Sequence, residues 1–188
     1  MSLLKVDTIQ NTSGTNLVTG VGNIVDSNFA YYSGAFYMQY DGTTPTRLPM
    51  LTLQIKPKKT TNIISCWWAI QQESHNNTSY RLMKSVNNGA WTQSTTNGEY
   101  SYNQNAGNQR WSGISHTQYD GDNNSTIQQM HIRYDFVAAT TQQIKLALAV
   151  ISSDNSGRNL TFNRTSGGWG GGSYENTVSH ATLFEIGT

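Results

Sequence analysis

The chain of 188 residues holds one cysteine, three prolines and only 12% charged residues. A lone Cys66 excludes an internal disulfide framework. Set in the apolar run "IISCWWAI", it reads as a small buried hydrophobe and not as a nucleophile, which would need exposure and a neighbouring base. A net charge of +1 leaves no electrostatic footprint for nucleic acid or an anionic membrane surface, and neither is expected as a partner. No apolar run approaches the roughly 18 residues that span a bilayer. The N-terminus also lacks a basic stretch followed by an apolar one, so neither membrane insertion nor a cleaved signal is expected. Lys and Glu, the usual surface residues of helices, are scarce, and no segment has helical periodicity.

What is present points to strands. Ser, Thr, Asn and Gln supply 74 of the 188 residues, a bias toward strands and turns. Ten tyrosines and five tryptophans are too many for a disordered chain of this polarity, so a packed core is expected. The length fits one domain, with at most a short appendage.

Period-2 alternation recurs along the chain. "LPMLTLQIK" sets Leu51, Leu53 and Ile55 against Thr52, Gln54 and Lys56, and Pro57 ends the run. In "NIISCWWAIQQ" both alternating sets are apolar, with Ile64, Cys66, Trp68 and Ile70 against Ile63, Trp67 and Ala69. This reads as a strand covered on both faces, by a second sheet or by a partner subunit. "YRLMKSVNNGAWTQ" places two strand-like arms around Asn87-Asn88-Gly89, a hairpin signal. "IQQMHIRYDFVA", "QQIKLALAVIS" and "TVSHATLFEIGT" alternate in the same way. Many short strands separated by Asn/Gly/Ser turns predict an all-β fold, an antiparallel sandwich of jelly-roll type. A boundary is expected between an N-terminal segment, residues 1–27, and the domain, residues 28–188, which opens on the Tyr-rich "FAYYSGAFYMQY".

Residues able to carry chemistry are few. The four histidines, at 75, 116, 131 and 180, lack the spacing of metal ligands. "YDGDNNST" begins like a calcium loop at Asp120, Asp122 and Asn124, but has Ser125 where the loop needs glycine and His131 where it needs glutamate, so it reads as a polar turn. The carboxylates are scattered, and no triad or paired-acid pattern stands out, so no catalytic residue, metal or cofactor is expected. Trp169, in "GGWGGG", either stacks on a sugar ring or folds back to cap the sandwich, the glycines permitting the bend. With Trp111 and Tyr119 it forms a candidate receptor or glycan contact.

Two parts of the chain resemble phage appendage proteins. The opening "LLKVDTIQNTSGT" resembles a short leader that recurs in tail-fibre-like proteins of cyanophages and other marine phages. Over roughly 60–187, "TTNIISCWWAIQQES", "YRLMKSVNNGAW", "LTFNRT" and "SHATLFEIG" follow the order of strand motifs in C1q/TNF-like phage domains. The resemblance implies a jelly roll that trimerises about a threefold axis on the virion surface.

Residues and resemblance together lead to a non-enzymatic virion protein, a short fibre or surface appendage with a possible task in host attachment. The alternatives are a capsid decoration protein with the same fold and a module binding host surface polysaccharide. Leu3, Leu4, Val6 and Ile9 are too few to form a core. They are expected to bury themselves by docking on another virion protein or by meeting their copies, with Asn11, Ser13 and Gly14 turning the chain toward the domain.

Overall fold

A computed structural model describes residues 9–10, 16–18, 23–40, 44–74, 78–93, 115–117, 127–152, 158–165 and 176–188. They form strands β1 (Ile9–Gln10), β2 (Asn16–Val18), β3 (Ile24–Tyr32), β4 (Phe36–Tyr40), β5 (Thr46–Arg47), β6 (Leu53–Ile55) and β7 (Ile63–Ser74). After these come β8 (Thr78–Val86), β9 (Thr92–Gln93), β10 (Ser115–His116), β11 (Gln128–Val137), β12 (Ile144–Ser152), β13 (Arg158–Phe162) and β14 (Ser179–Ile186). No described residue is helical.

β1 and β2 pair antiparallel as a separate two-stranded sheet, Ile9 opposite Val18. The other strands form two six-stranded sheets, and every pairing is antiparallel. In the first sheet β7 lies beside β11 on one edge. On its other edge it meets β14 along residues 63–69 and β13 along 72–74, with β3 beyond β14 and β4 beyond β13. In the second sheet β8 and β12 are central, flanked by β9 and β10 on one side and by β5 and β6 on the other. The orders β3-β14-β7-β11 and β6-β12-β8-β9 interleave early and late strands, first beside last and second beside second-last. That is the winding of a jelly roll.

The core lies between the sheets, where Ile64, Cys66, Trp68 and Ile70 of β7 face Leu146, Leu148 and Val150 of β12 and Leu82 of β8. Each comes from the inward set of an alternating strand, so the period-2 patterns read from these segments hold. The Asn-Asn-Gly hairpin also forms as expected. Asn87 and Asn88 take positive φ (51° and 58°), and the Gly89 N–H closes the turn on the Val86 carbonyl at 2.9 Å.

The segment 48–56 differs from expectation, because only Leu53–Ile55 pairs as a strand. Leu51 adopts φ 58°, which breaks the extended run, and its carbonyl accepts the indole N–H of Trp68 at 3.2 Å. Burying that tryptophan requires a partner for its N–H, and the kink at Leu51 supplies one. Leu48, Leu51, Leu53 and Ile55 are nevertheless all buried.

Two polar anchors fix the ends of the first sheet. Buried Glu185 accepts hydrogen bonds from the Lys58 backbone N–H (2.7 Å) and the Asn62 side chain (2.6 Å), tying the turn after β6 to the last strand. At the other end Asn163, at φ 59° and 1% exposed, uses every polar atom it has. Its side-chain amide donates to the carbonyls of Tyr32 (2.6 Å) and Gly34 (3.1 Å), and its Oδ1 accepts from Ser179 Oγ (2.5 Å). Its backbone N–H donates to Gln71 O (2.9 Å) and its carbonyl accepts from Thr177 N–H (3.0 Å). One residue thereby joins the exit of β3, the last third of β7, the end of β13 and the entry to β14.

Candidate functional site

The outward faces of the two sheets differ. On β8 and β12 the outward residues Ser79, Arg81, Ala147, Ala149 and Ile151 are buried, and the Arg47 guanidinium beside them stacks on the Trp91 ring at 4.8 Å. On the first sheet the outward face is open. Trp67 is 49% exposed, Phe29 61% and Tyr31 69%.

Strand register arranges this open face in four cross-strand rows. Tyr31, His180, Ala69 and His131 form the first, and Phe29, Thr182, Trp67 and Arg133 the second. Ser27, Phe184, Ser65 and Asp135 form the third, and Ile24, Ile186, Ile63 and Val137 the fourth. Small Ala69 between bulkier neighbours leaves a shallow depression of about 430 Å³, walled by Trp67, His131, Arg133, His180 and Phe184. The Phe29 ring stacks against His180 at 6.4 Å and 29°.

Four polar groups of this face, on Trp67, Ser65, Asp135 and Arg133, satisfy one another. Trp67 Nε1–H donates to Ser65 Oγ (3.1 Å), and Ser65 Oγ donates to Asp135 Oδ1 (2.6 Å). Asp135 also holds Arg133 through both oxygens, at 3.2 Å to Nε and 2.8 Å to Nη2. The Arg133 guanidinium lies 4.9 Å from the centre of the Trp67 ring, a cation–π contact. The face can therefore leave water without abandoning an unpaired indole N–H or an uncompensated charge on these four residues.

The adjacent tryptophans divide between the two sides, as their alternation required. Trp68 is in the core and Trp67 is on the open face. Cys66 is buried as expected. Burial, with the nearby Asp135 charge adding to it, pushes its thiol well above its ordinary pKa, so it stays an unreactive thiol in the folded chain. Among the described residues no group of three or more His, Cys, Asp or Glu is placed to hold a metal ion.

Of the docking candidates, Ile9 lies in β1, opposite Val18, while Leu3, Leu4 and Val6 fall outside the described residues. Trp111, Tyr119 and Trp169 also fall outside them, as does the loop at Asp120. Reading single segments did not bring together Phe29, Tyr31, His131, Arg133, His180 and Phe184. Their signal was the outward set of each alternating strand, which becomes a face only when β3, β14, β7 and β11 are laid side by side.

No family model and no curated protein matches the sequence. Among solved structures, the chain is similar to the infectious bursal disease virus Gx strain structure with 11% identity and a TM-score of 0.35, over 88% of this chain and 38% of that one. It is similar to a mutant VP2 protein of the same virus in derived T=1 particles with 10% identity and a TM-score of 0.37, over 97% of this chain and 41% of that one. The chain thus spans about two-fifths of the length of those chains.

Proposed function

We propose that this protein is a non-enzymatic structural component of a virus particle, a short fibre or surface appendage. It assembles as a homotrimer through the open face of the first sheet and is attached by its N-terminal segment. The observation that carries the assembly is the contrast between the two outward faces, one buried and one presenting Phe29, Tyr31, Trp67, Ile24, Ile63 and Val137 to water. At these exposures the three aromatic rings alone leave on the order of 400 Å² of surface in water. The largest apolar patch of a typical monomer covers about 300–600 Å², and the three aliphatic side chains take this face to the upper end of that range. A standard interface buries about 800 Å² per partner, which the four rows with their polar residues can supply.

A second copy fits this face better than a saccharide does. The apolar surface runs through four rows, well beyond the footprint of one sugar ring, and the Arg133–Asp135 pair is internally neutral, so like faces do not repel. The threefold arrangement and the virion location rest on the resemblance of the leader and strand motifs to phage fibre-like proteins.

Light scattering after size exclusion tests the assembly. At micromolar concentration the wild type is expected at three times the 20.8 kDa of one chain, and Trp67→Glu at one chain with an unchanged β-sheet spectrum. A wild type that stays monomeric refutes the proposal.

A further inference from the structure

We propose that Asn88 is a deamidation site that the turn after β8 holds shut. Asn88-Gly89 is one of two Asn-Gly pairs in the chain, the other being Asn97-Gly98. Asparagine before glycine is open to this reaction because no side chain hinders the glycine nitrogen. That nitrogen loses its proton to a base and attacks the asparagine Cγ, the side-chain amide leaves as ammonia, and a five-membered succinimide closes. Water then opens the ring at either carbonyl, giving aspartate or isoaspartate. Asn88 and Gly89 are both exposed, so water and base have access to them.

The frame of the turn decides whether the step can begin. Asn87 and Asn88, at φ 51° and 58°, fill both central positions of a type I′ turn, which places Gly89 at the fourth. The nucleophilic nitrogen is therefore the donor that closes the turn, to the Val86 carbonyl at 2.9 Å. Had Asn-Gly itself filled the central positions, the glycine N–H would stand outside that bond; the extra Asn87 moves it in.

Removing the Gly89 proton inside the turn sets a negative nitrogen against a carbonyl oxygen. The Asn88 Cα–C bond also lies within the succinimide ring, so closure must rotate it away from the ψ of about 0° that the third position of such a turn takes. Two further bonds resist that rotation. Ser85 Oγ donates to the Gly89 carbonyl at 2.7 Å, holding that residue from its other side, and the Asn87 N–H donates to the Gln143 carbonyl at 2.8 Å, tying the turn to the entry of β12. Cyclisation waits for the turn to open, and Ser85 is a positioning residue that sets how often it does.

Peptide mapping by mass spectrometry, on native and on urea-unfolded protein held at mildly alkaline pH, follows the conversion of each asparagine. In urea Asn88 and Asn97 are expected to react at similar rates. In the native chain Asn88 is expected to react at least about tenfold more slowly than in urea, since each hydrogen bond that must break contributes roughly a fivefold factor. Ser85→Ala, with circular dichroism confirming the fold, is expected to raise the native Asn88 rate about fivefold and to leave the rate in urea unchanged. Equal Asn88 rates in the native wild type and in urea overturn the proposal, because the turn then holds nothing shut. A native rate that Ser85→Ala leaves unchanged overturns the role given to Ser85. An Asn88 that stays intact in urea while Asn97 converts removes the site itself.

Discussion

Asn163 offers the most exacting test of how the open sheet is held. Its side chain satisfies the carbonyls of Tyr32 and Gly34 and the hydroxyl of Ser179, and its backbone sits at φ 59°, which glycine and asparagine adopt at less cost than alanine. Asn163→Ala removes the donors from two carbonyls, at about 1–3 kcal/mol for each group left unpaired in the interior, and adds about 1 kcal/mol of backbone strain. Partial hydration of the carbonyls reduces the sum, and a net loss of about 3–5 kcal/mol is expected. In a domain of this size that corresponds to a fall in melting temperature on the order of 10 °C. Asn163→Gly keeps the left-handed backbone and should recover about 1 kcal/mol of the loss.

Asn163→Asp separates side chain from backbone. It keeps the shape and the acceptor but turns a carboxylate toward two carbonyl oxygens, so its folded pKa lies above its unfolded one. Below the unfolded value of about 3.9 only the loss of one of the two donors remains, and the charge-dependent penalty grows to its full size as pH rises from there through the folded value. Urea unfolding at neutral and acid pH reads all three variants. If Asn163→Ala costs less than about 1 kcal/mol, the hydrogen bonds drawn from this residue are not holding β3, β13 and β14 together.

The remaining predictions concern the thiol and the leader. Cys66, buried and with its thiol pushed up, should react with a thiol reagent only as fast as the chain unfolds; rapid labelling of the native protein would contradict the core drawn around it. Deleting residues 2–14 should leave the fold and the proposed trimer intact, because among the described strands β1 and β2 pair only with each other, while abolishing incorporation into particles. Loss of the fold itself would refute that division of labour.

The strands most legible in the sequence were those with one wholly apolar set. Ile64-Cys66-Trp68-Ile70 and Ile144-Leu146-Leu148-Val150 identify β7 and β12, because burial between two sheets imposes that period. The turn at Asn87-Asn88 was legible for a different reason, since few residues accept positive φ twice in succession. The kink at Leu51 was not. A leucine with positive φ contradicts its local preference and is explained only by Trp68, a residue distant in sequence that needs its carbonyl. The open face was hidden because each strand contributes only a few apolar side chains to it, interspersed with serine, threonine and histidine. Within β14 alone, His180, Thr182 and Phe184 read as an ordinary solvent face.

The Trp67-Trp68 pair explains why that face is a specified surface and not the by-product of an apolar strand. Sliding β7 by one residue would exchange the two tryptophans, and the strand has large apolar groups on both sides, so hydrophobicity alone specifies its register weakly. Polar partners decide it. Trp68 finds the Leu51 carbonyl inside, and Trp67 finds Ser65, which hands on to Asp135 and so to Arg133 outside. In the slipped register that sets Trp67 in the place of Trp68, the Ser65 hydroxyl would enter the core in place of Cys66, at the cost of burying an unpaired polar group. The same hydrogen-bond chain that fixes the register leaves the exposed Trp67 with its one donor already satisfied, so covering it releases apolar surface from water with little loss of hydration by its N–H. A tryptophan kept outside, oriented by a cation and relieved of its need for solvent, is prepared for contact with protein. That is the physical ground for proposing this sheet, and not the covered one, as the surface for self-association.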